Sequence, residues 1–449
     1  MVKPNNHTTP SSQKAYTHHN ATLLKITIVI FFTIVITVIT LLLSRTFAQT
    51  NNRTTTEHQL PSLHIALDNI SLEEINSLPI DNKYPDNTAT FTIGQNTIVF
   101  NNVEIKGRGN HTWTLPKKPY QIKLQHKANL FNFGSAKKWV LLADYSDETH
   151  LRNSTAFFLQ HLLNSENPID GQHIELYIND TYHGLYYLSE KVEISKNRIN
   201  LKDPLGIIAE LDNLHNTDET CAYHSKNGNC LTIQDVVNSD NSTIAIESFT
   251  NKFNELESAI EAKDYQSITQ IIDIDSFAKY YLLNEFAINP DAYGSSFFLY
   301  TDGINDRIHA GSGWDFDAAF GNKHLLLADN NYTTLASPLS TMSIKELLSN
   351  NKPSKTLSLN HFDRLSTVIY DLMNFPEFSI RTQEIYQNYL SGKKPEIINH
   401  IKTQANAIKE AAIKDSKLWN LEFNFTEEVN YLIDWIEKRC DHFDQIYNS

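Results

Sequence analysis

Cysteine is rare in this chain of 449 residues, which contains only three. Cys221 and Cys230 lie at the two ends of a short polar stretch, CAYHSKNGNC, and no second pair of soft ligands accompanies them. The sequence therefore does not predict a structural zinc site, which takes four ligands of this kind. The sequence does not decide whether this pair forms a disulfide, which suits an exported domain, or two separate thiols. Cys440 has no partner and is predicted to be structural.

Basic residues are in deficit, with 38 Lys and Arg against 52 Asp and Glu. A protein that binds nucleic acid without sequence preference shows the opposite balance, so no nucleic-acid partner is expected. The chain has only 14 glycines, and the pair around Arg108 fits neither the dinucleotide-binding pattern nor the Walker pattern. The sequence contains no internal repeat.

One long apolar run lies near the N-terminus, where ITIVIFFTIVITVITLLL extends from Ile26 to Leu43 without a charge. At about 1.5 Å per residue a helix of this length approaches the thickness of the hydrocarbon layer. The sequence predicts a polar tail at 1–25, a transmembrane anchor at 26–44 and a linker at 45–60. A slight asymmetry of flanking charge favours a single-pass membrane protein with its main domain extracytoplasmic. A signal peptide cleaved near Ala48 is the alternative.

The pattern becomes globular at residue 61. SLHIALD and TATFTIG alternate as strands do, and HIELYINDTYHGLYYLSEKVEI predicts two strands joined by a turn at Asn179. Beyond Ser239 the apolar spacing is helical, most clearly in EEVNYLIDWIEKRCDHF. The expected fold is α+β, with a β-rich lobe at about 61–215, a helical lobe at about 216–449 and a binding site in the cleft between them.

The stretch GSGWDFDAAFGN, residues 311–322, places Asp315 and Asp317 among aromatic side chains. A carboxylate is costly to bury unless a positive charge faces it, and a hard cation such as Mg²⁺ is one such partner. The alternative is that Asp315 caps a short helix, with Phe316 and Phe320 forming its buried face.

Asp291 lies 24 residues before Asp315, in NEFAINPDAYGSSFFLY. The segments SFFLYTD and RIHAGSGWDFDAAF predict a hairpin between the two acids, and its ends could bring both carboxylates to one place. The simpler interpretation of Asn-Pro-Asp is a turn that stops a helix.

The segment KGRGNHTWTLPKKPYQIKL, residues 106–124, is basic. Two glycines flank Arg108, and Lys117, Lys118 and Lys123 follow. Such side chains beside a glycine turn could hold phosphate oxygens, and a solvated basic hairpin is the alternative. Glu190, in YYLSEKVEI, either faces solvent or pairs with a phosphate-binding lysine.

The order of the motifs RGN, KKPYQIKL, LADYSDETHLRN, YINDTYHGLYYLSEKVE, NPDAYGSSFFLY and WDFDAAFG resembles that of the CotH family of atypical protein kinases. The resemblance covers roughly Lys106 to Asn322. It implies a divergent protein-kinase-like fold of two lobes, binding of ATP with Mg²⁺ or Mn²⁺ in the cleft, and phosphoryl transfer to Ser, Thr or Tyr hydroxyls of a protein substrate.

The resemblance also implies a role for individual residues. Asp291 matches the catalytic acid that orients the attacking hydroxyl. Asp315 matches the metal-binding acid, with Asp317 beside it. Glu190 matches the acid that pairs with a lysine, for which Lys118 is preferred to Lys123. The glycine-flanked turn is matched by Arg108 and Asn110.

The sequence departs from the common kinase pattern in two ways. Kinases hold a second metal with an Asn five residues after the catalytic Asp, and this chain has Ser296 there. It also lacks a full glycine-rich phosphate loop. The expected function is a membrane-anchored atypical protein kinase. A pseudokinase-like nucleotide-binding protein and a structural protein of the cell envelope or coat are the alternatives.

Overall fold

In a computed structural model of the protein, the described residues are 60–77, 79–80, 82–213, 221, 223–324, 331–333 and 368–448. The predicted tail and anchor and nearly all of the linker lie outside these ranges. Among the described helices, none combines the length and the apolar character that crossing a membrane requires.

The N-terminal part of the described chain is a closed β-barrel. Its strands follow the order β1-β2-β3-β4-β5-β7-β6, and a parallel pairing of β6 with β1 closes the ring. Alternation explains the barrel core: in β4, Ile122 and Leu124 are buried inside while Lys123 between them is half exposed. The strands are β1 (Ser62–Ala66), β2 (Tyr84–Ile93), β3 (Asn96–Gly107), β4 (Tyr120–Asn129), β5 (Ser135–Leu142), β6 (Gly171–Ile178) and β7 (Thr181–Glu190).

Three helices accompany the barrel: α1 (Leu72–Ser77), α2 (His111–Thr114) and α3 (Arg152–Leu162). The predicted turn between β6 and β7 is confirmed. Asn179 and Asp180 have φ angles of +48° and +61°, the left-handed values that a two-residue hairpin turn requires.

A second sheet has the order β12-β11-β8-β10-β9. Its strands are β8 (Gly206–Leu211), β9 (Tyr223–His224), β10 (Cys230–Val236), β11 (Phe297–Asp302) and β12 (His309–Ala310). β11 and β12 form the predicted hairpin. This sheet joins β8, from the segment expected in the β-rich lobe, to four strands from the segment expected in the helical lobe. A disulfide between Cys221 and Cys230 at the start of β10 resolves the alternatives for that pair, and Cys440 is a buried free thiol.

The C-terminal part is mainly helical, so the predicted α+β order of strands before helices is confirmed. A 3₁₀ turn (Ser239–Asn241) precedes α4 (Ser242–Glu261), α5 (Tyr265–Ile271) and α6 (Ile274–Ala287). Beyond the hairpin follow α7 (Val368–Leu372), α8 (Pro376–Tyr389), α9 (Lys394–Leu418) and α10 (Phe425–Tyr447). Asp264, Asp273 and Asn424 cap α5, α6 and α10 with side-chain oxygens.

A buried ion pair connects the barrel to α9. Lys117, just before β4, lies with its Nζ 2.8 Å from a carboxylate oxygen of Asp415, and both side chains are almost fully buried. The backbone N–H of Leu185 in β7 donates to the same carboxylate at 2.8 Å. Lys117 also lies 4.7 Å from the ring centre of Tyr186. This residue of the basic segment therefore has a structural role.

Candidate active site

The loop that carries Asp315 is held by α3. Gln160 donates to the carbonyl of Gly313 at 3.0 Å, and Arg152 donates to the carbonyl of Ala319 at 3.0 Å. Between them, the N–H of Phe316 donates to Oδ1 of Asn153, also at 3.0 Å. Three side chains of one helix thus fix the backbone on both sides of the two acids.

The aromatic residues of this loop are core residues. Trp314 stacks on Phe157 of α3 at 5.7 Å, and Phe320 meets Trp435 of α10 edge-on at 6.1 Å. Phe316 is fully buried. Asp315 has a left-handed φ of +66° and is followed by turns, so the alternative that it caps a helix is wrong. The aromatics anchor a loop that presents the two half-buried acids.

Arg108 lies within electrostatic reach of Asp315. Its guanidinium carbon is 4.9 Å from the ring centre of Trp314. Burial lowers the pKa of Arg108, and the negative charges of Asp315 and Glu210 oppose that shift. Glu210, on β8, was not predicted as a site residue. It follows the buried run GIIA, one residue before the end of β8, and an acid in that position was the available signal.

Asp317 lies within electrostatic reach of the other acids. Burial raises the pKa of Asp317 well above its usual range, and the charges of Asp315, Asp291 and Asp144 raise it further. A hydrogen bond with Asp315 acts in the same direction. Asp291 and Asp315, from the two ends of the hairpin, thus both lie within electrostatic reach of Asp317, and their joint role in a site stays a prediction.

Asp144 is the acid of this group that sequence reasoning missed. It lies two residues past the end of β5 in the motif LLAD, and an acid just after a buried strand was the signal. Burial raises the pKa of Asp144 to about 7, and the neighbouring charge of Asp147 adds to the effect. Asn153 donates to its Oδ1 at 2.9 Å.

Asp291 lies in a turn after α6. The helix ends at Ala287, and Ile288 takes a left-handed φ of +46°, so the helix stops before the Asn-Pro-Asp sequence. The carbonyl of Asp291 accepts from the N–H groups of Gly294 and Ser295 at 3.0 and 2.9 Å. At the end of the turn, the N–H of Ser296 donates to Oε1 of Glu210 at 3.0 Å. Ser296 and Asp291 are thus held on one short segment.

The predicted pairing of Glu190 with Lys118 or Lys123 is not what the structure shows. Glu190 is buried, and its Oε1 lies 3.4 Å from Nε of Arg198. Burial raises the pKa of Glu190 to about 7, and the charge of Arg198 opposes that rise. Arg198 is the partner of Glu190. It also donates to the carbonyl of Lys191 at 3.1 Å, which holds its guanidinium next to the end of β7.

Lys118, Lys123 and Asn110 were also predicted to bind nucleotide, and none of them pairs with Glu190 in the structure. Lys118 donates to the carbonyl of Trp113 and lies 5.4 Å from the centre of its ring. Lys123 faces Glu104 across β3 and β4 at 3.9 Å and is 42% exposed. Asn110 is exposed next to α2.

Lys191 is a lysine close to Arg108 that sequence reasoning missed. Burial lowers the pKa of Lys191 to about 8, and the positive charges of Lys138 and Arg108 lower it further. Lys191 directly follows Glu190 in the motif YYLSEKVEI, and a lysine next to a predicted site acid was the signal that could have found it. Two like charges held close together and partly out of water favour an anion between or beside them.

Residues 105–443 match the family described as CotH kinase protein, which is most of the chain. The chain belongs to the CotH kinase protein family. Comparison with curated proteins found no match. The CotH match begins inside β3 and ends inside α10, so it includes the carboxylates, Arg108 and Lys191 described above.

The acid cluster supplies oxygen ligands, and Arg108 and Lys191 supply cationic donors near it. Carboxylate oxygens are the ligands that hard divalent cations such as Mg²⁺ prefer. Burial and the charges of Asp315, Asp291 and Asp144 raise the pKa of Asp317, and a bound cation would offset that repulsion. These residues therefore fit a divalent metal, and Arg108 with Lys191 fits an anionic ligand beside it.

Two further groups of acids and histidine have ligand atoms within 4.8 Å of one another: Glu148–His324–Glu428 and Glu166–Asp273–His309. In the first, His324 lies 2.9 Å from Glu148, and Lys323 lies 2.7 Å from Glu428. In the second, Asp273 already caps α6. Ion pairs and caps account for both groups.

Proposed function

We propose that this protein binds ATP with Mg²⁺ or Mn²⁺ and transfers the γ-phosphoryl group to a Ser, Thr or Tyr hydroxyl of a protein substrate. The observation that carries the proposal is that Asp291 and Asp315 both lie within electrostatic reach of Asp317, and that Asp315 lies within reach of Arg108. Membership of the CotH kinase family supports it. In the same proposal the barrel and the helical part correspond to the two lobes of a kinase-like fold.

Asp315 and Asp317 are the residues that would hold the metal. Three α3 side chains fix their loop, so little ordering would be needed when the ligand arrives. The metal, when bound, would offset the charge of the phosphate oxygens. Trp314 and Phe320 exclude water from the inner side of the loop.

Arg108 and Lys191 would bind the phosphate groups. The guanidinium is a rigid fork of donors that suits phosphate oxygens, and its contact with Trp314 limits its movement. Lys191 would act as a second positive charge from the end of β7. We assign the lysine role to Lys191 because its charge lies within electrostatic reach of Arg108. A phosphate would replace the hydrogen bond that its Nζ donates to the carbonyl of Val192 at 3.1 Å.

Asp291 would orient the attacking hydroxyl and accept its proton. Its backbone is held by Gly294 and Ser295, so the side chain starts from a fixed point. Positioning a hydroxyl in line with the phosphoryl group is the main contribution a protein makes to this reaction.

Nucleotide binding without transfer is the second candidate, and Ser296 favours it. A hydroxyl is a poorer metal ligand than the Asn amide that kinases place five residues after the catalytic Asp. The N–H of Ser296 donates to Glu210, which holds the residue at the end of the turn that contains Asp291.

Membrane attachment through residues 26–44 also remains part of the proposal. It is supported by the uncharged run from Ile26 to Leu43.

The experiment that tests nucleotide use compares ATP affinity with and without Mg²⁺ in the parent and in Asp315→Asn. Asn tolerates the left-handed φ of Asp315 and keeps its size, so the loop should keep its packing. We expect the substitution to remove most of the Mg²⁺-dependent gain in affinity. Unchanged affinity in the presence of Mg²⁺ would show that Asp315 does not hold the metal.

A further inference from the structure

Asp144 is a buried acid with one oxygen unaccounted for. The residue is only 7% exposed. Its Oδ1 accepts a hydrogen bond from Asn153, whereas its Oδ2 has no hydrogen-bond partner in the part of the chain that the structure describes. A buried carboxylate oxygen left in this state is costly, so it calls for an explanation.

Lys117, whose positive charge acts on Asp144, and Arg152, the chain neighbour of Asn153, both have other partners. Lys117 has its ion pair with Asp415 at 2.8 Å. Arg152 is paired with Asp147 and donates to the carbonyl of Ala319. Within the described residues Asp144 therefore has no ion pair, although the charge of Lys117 acts on it.

Asn153 connects Asp144 to the loop that carries the metal-binding acids. Its Nδ2 donates to Asp144 at 2.9 Å, and its Oδ1 accepts from the N–H of Phe316 at 3.0 Å. Phe316 is the residue between Asp315 and Asp317. One amide thus fixes the Asp144 carboxylate relative to both acids, and the charge of Asp144 acts on Asp317.

The backbone of Asp144 is also specialised. Its φ of +46° is left-handed, which is uncommon for a residue with a side chain. Such conformations persist where the surrounding structure enforces them, and they cluster at functional sites. Here the conformation redirects the chain as β5 ends and leaves the carboxylate at the acid cluster.

We propose that Asp144 is a third carboxylate ligand, through Oδ2, of the divalent cation held by Asp315 and Asp317. This inference rests on the proposed metal site. Asp144 would then provide the ligand oxygen that the hydroxyl of Ser296 supplies poorly. This oxygen would come from the segment after β5 of the barrel, whereas Ser296 lies in the turn after Asp291.

The test is titration of the full-length protein with Mn²⁺ alone, read by the free-Mn²⁺ electron paramagnetic resonance signal and by thermal denaturation. Asp144→Asn keeps an oxygen that can accept from Asn153 and removes the charge. We expect Mn²⁺ affinity to fall at least about tenfold, as loss of one ligand implies. Without metal, the melting temperature of the variant should equal or exceed that of the parent, because an unpaired buried charge has been removed.

A purely structural Asp144 would give a different result: the melting temperature without metal would fall, and Mn²⁺ affinity would not change. Asp441→Asn is the matched control. Asp441 is an exposed acid on α10 that pairs with Lys394, and its loss should leave Mn²⁺ affinity at the parent value.

If the parent binds Mn²⁺ and Asp144→Asn binds it equally well, Asp144 is not a ligand and the proposed function is unaffected. If the parent itself binds no Mn²⁺, the metal site and this inference both fail. If Asp144→Asn does not fold, Asp144→Glu replaces it. The added methylene displaces the carboxylate, so the same fall in affinity is expected, and parent affinity would overturn the inference.

Discussion

At the scale of single residues, the acids of the site were easier to predict than the bases. Asp291 and Asp315 flank a hairpin, and hairpin geometry alone brings its two ends together. The phosphate-binding lysine could not be predicted in the same way. Several lysines lie in the basic segment and after β7, and which of them lies near Arg108 depends on local packing.

Asp144 and Glu210 were missed for a related reason. Asp144 lies just past the end of β5 and Glu210 lies near the end of β8, and an acid in either position is compatible with solvent as well as with a site. Only the closed barrel and the second sheet bring them to Asp317 and Arg108, through contacts between residues far apart in the chain.

Lys191→Met and Lys118→Met form a pair that tests the lysine assignment. Both substitutions remove a charge and keep a long apolar stem. We expect ATP affinity to fall at least about tenfold for Lys191→Met, since an ionic hydrogen bond to phosphate is lost. Lys118→Met should have little effect, because Lys118 is bound to Trp113. The measurement is isothermal titration with ATP and Mg²⁺, and the reverse order of effects would return the role to Lys118.

At the scale of elements, the basic segment before β4 divides into residues with different roles. The sequence shows three lysines within seven positions and cannot say which is buried. In the structure Lys117 is fully buried against Asp415 of α9, and Lys123 lies on the outer face of β4. Strand alternation explains Lys123, whereas the partner of Lys117 is almost three hundred residues away.

Lys117→Met should strongly destabilise the fold, and Lys123→Met should not. The first leaves Asp415 buried without its cation, which costs about 3–5 kcal/mol in comparable cases. The second removes an exposed ion pair worth about 0–1 kcal/mol. Urea denaturation of the two variants and the parent measures the difference. Equal stability of the two variants would mean that the Lys117–Asp415 pair does not fasten the barrel to α9.

At the scale of the whole molecule, the sequence predicted the order of strands and helices but not the closure of the barrel. Closure depends on the parallel pairing of β1 with β6, which are more than one hundred residues apart. The second sheet similarly joins β8 to β11 and extends past the predicted lobe boundary at 215. Local patterns identify strands, and pairing between distant strands is decided by the packing of the complete chain.

The central claim is that the acids of this site transfer a phosphoryl group, and one measurement tests it most directly. The full-length parent and Asp291→Ala are each incubated with γ-labelled ATP and Mg²⁺ or Mn²⁺, and label on protein is followed over time, with ATP affinity measured in parallel. We expect labelling by the parent, and a loss of about 10²–10⁴-fold in Asp291→Ala with ATP affinity retained, because Asp291 acts on the hydroxyl. Transfer by Asp291→Ala at the parent rate would contradict the account, and ATP binding without transfer by the parent would favour a nucleotide-binding protein.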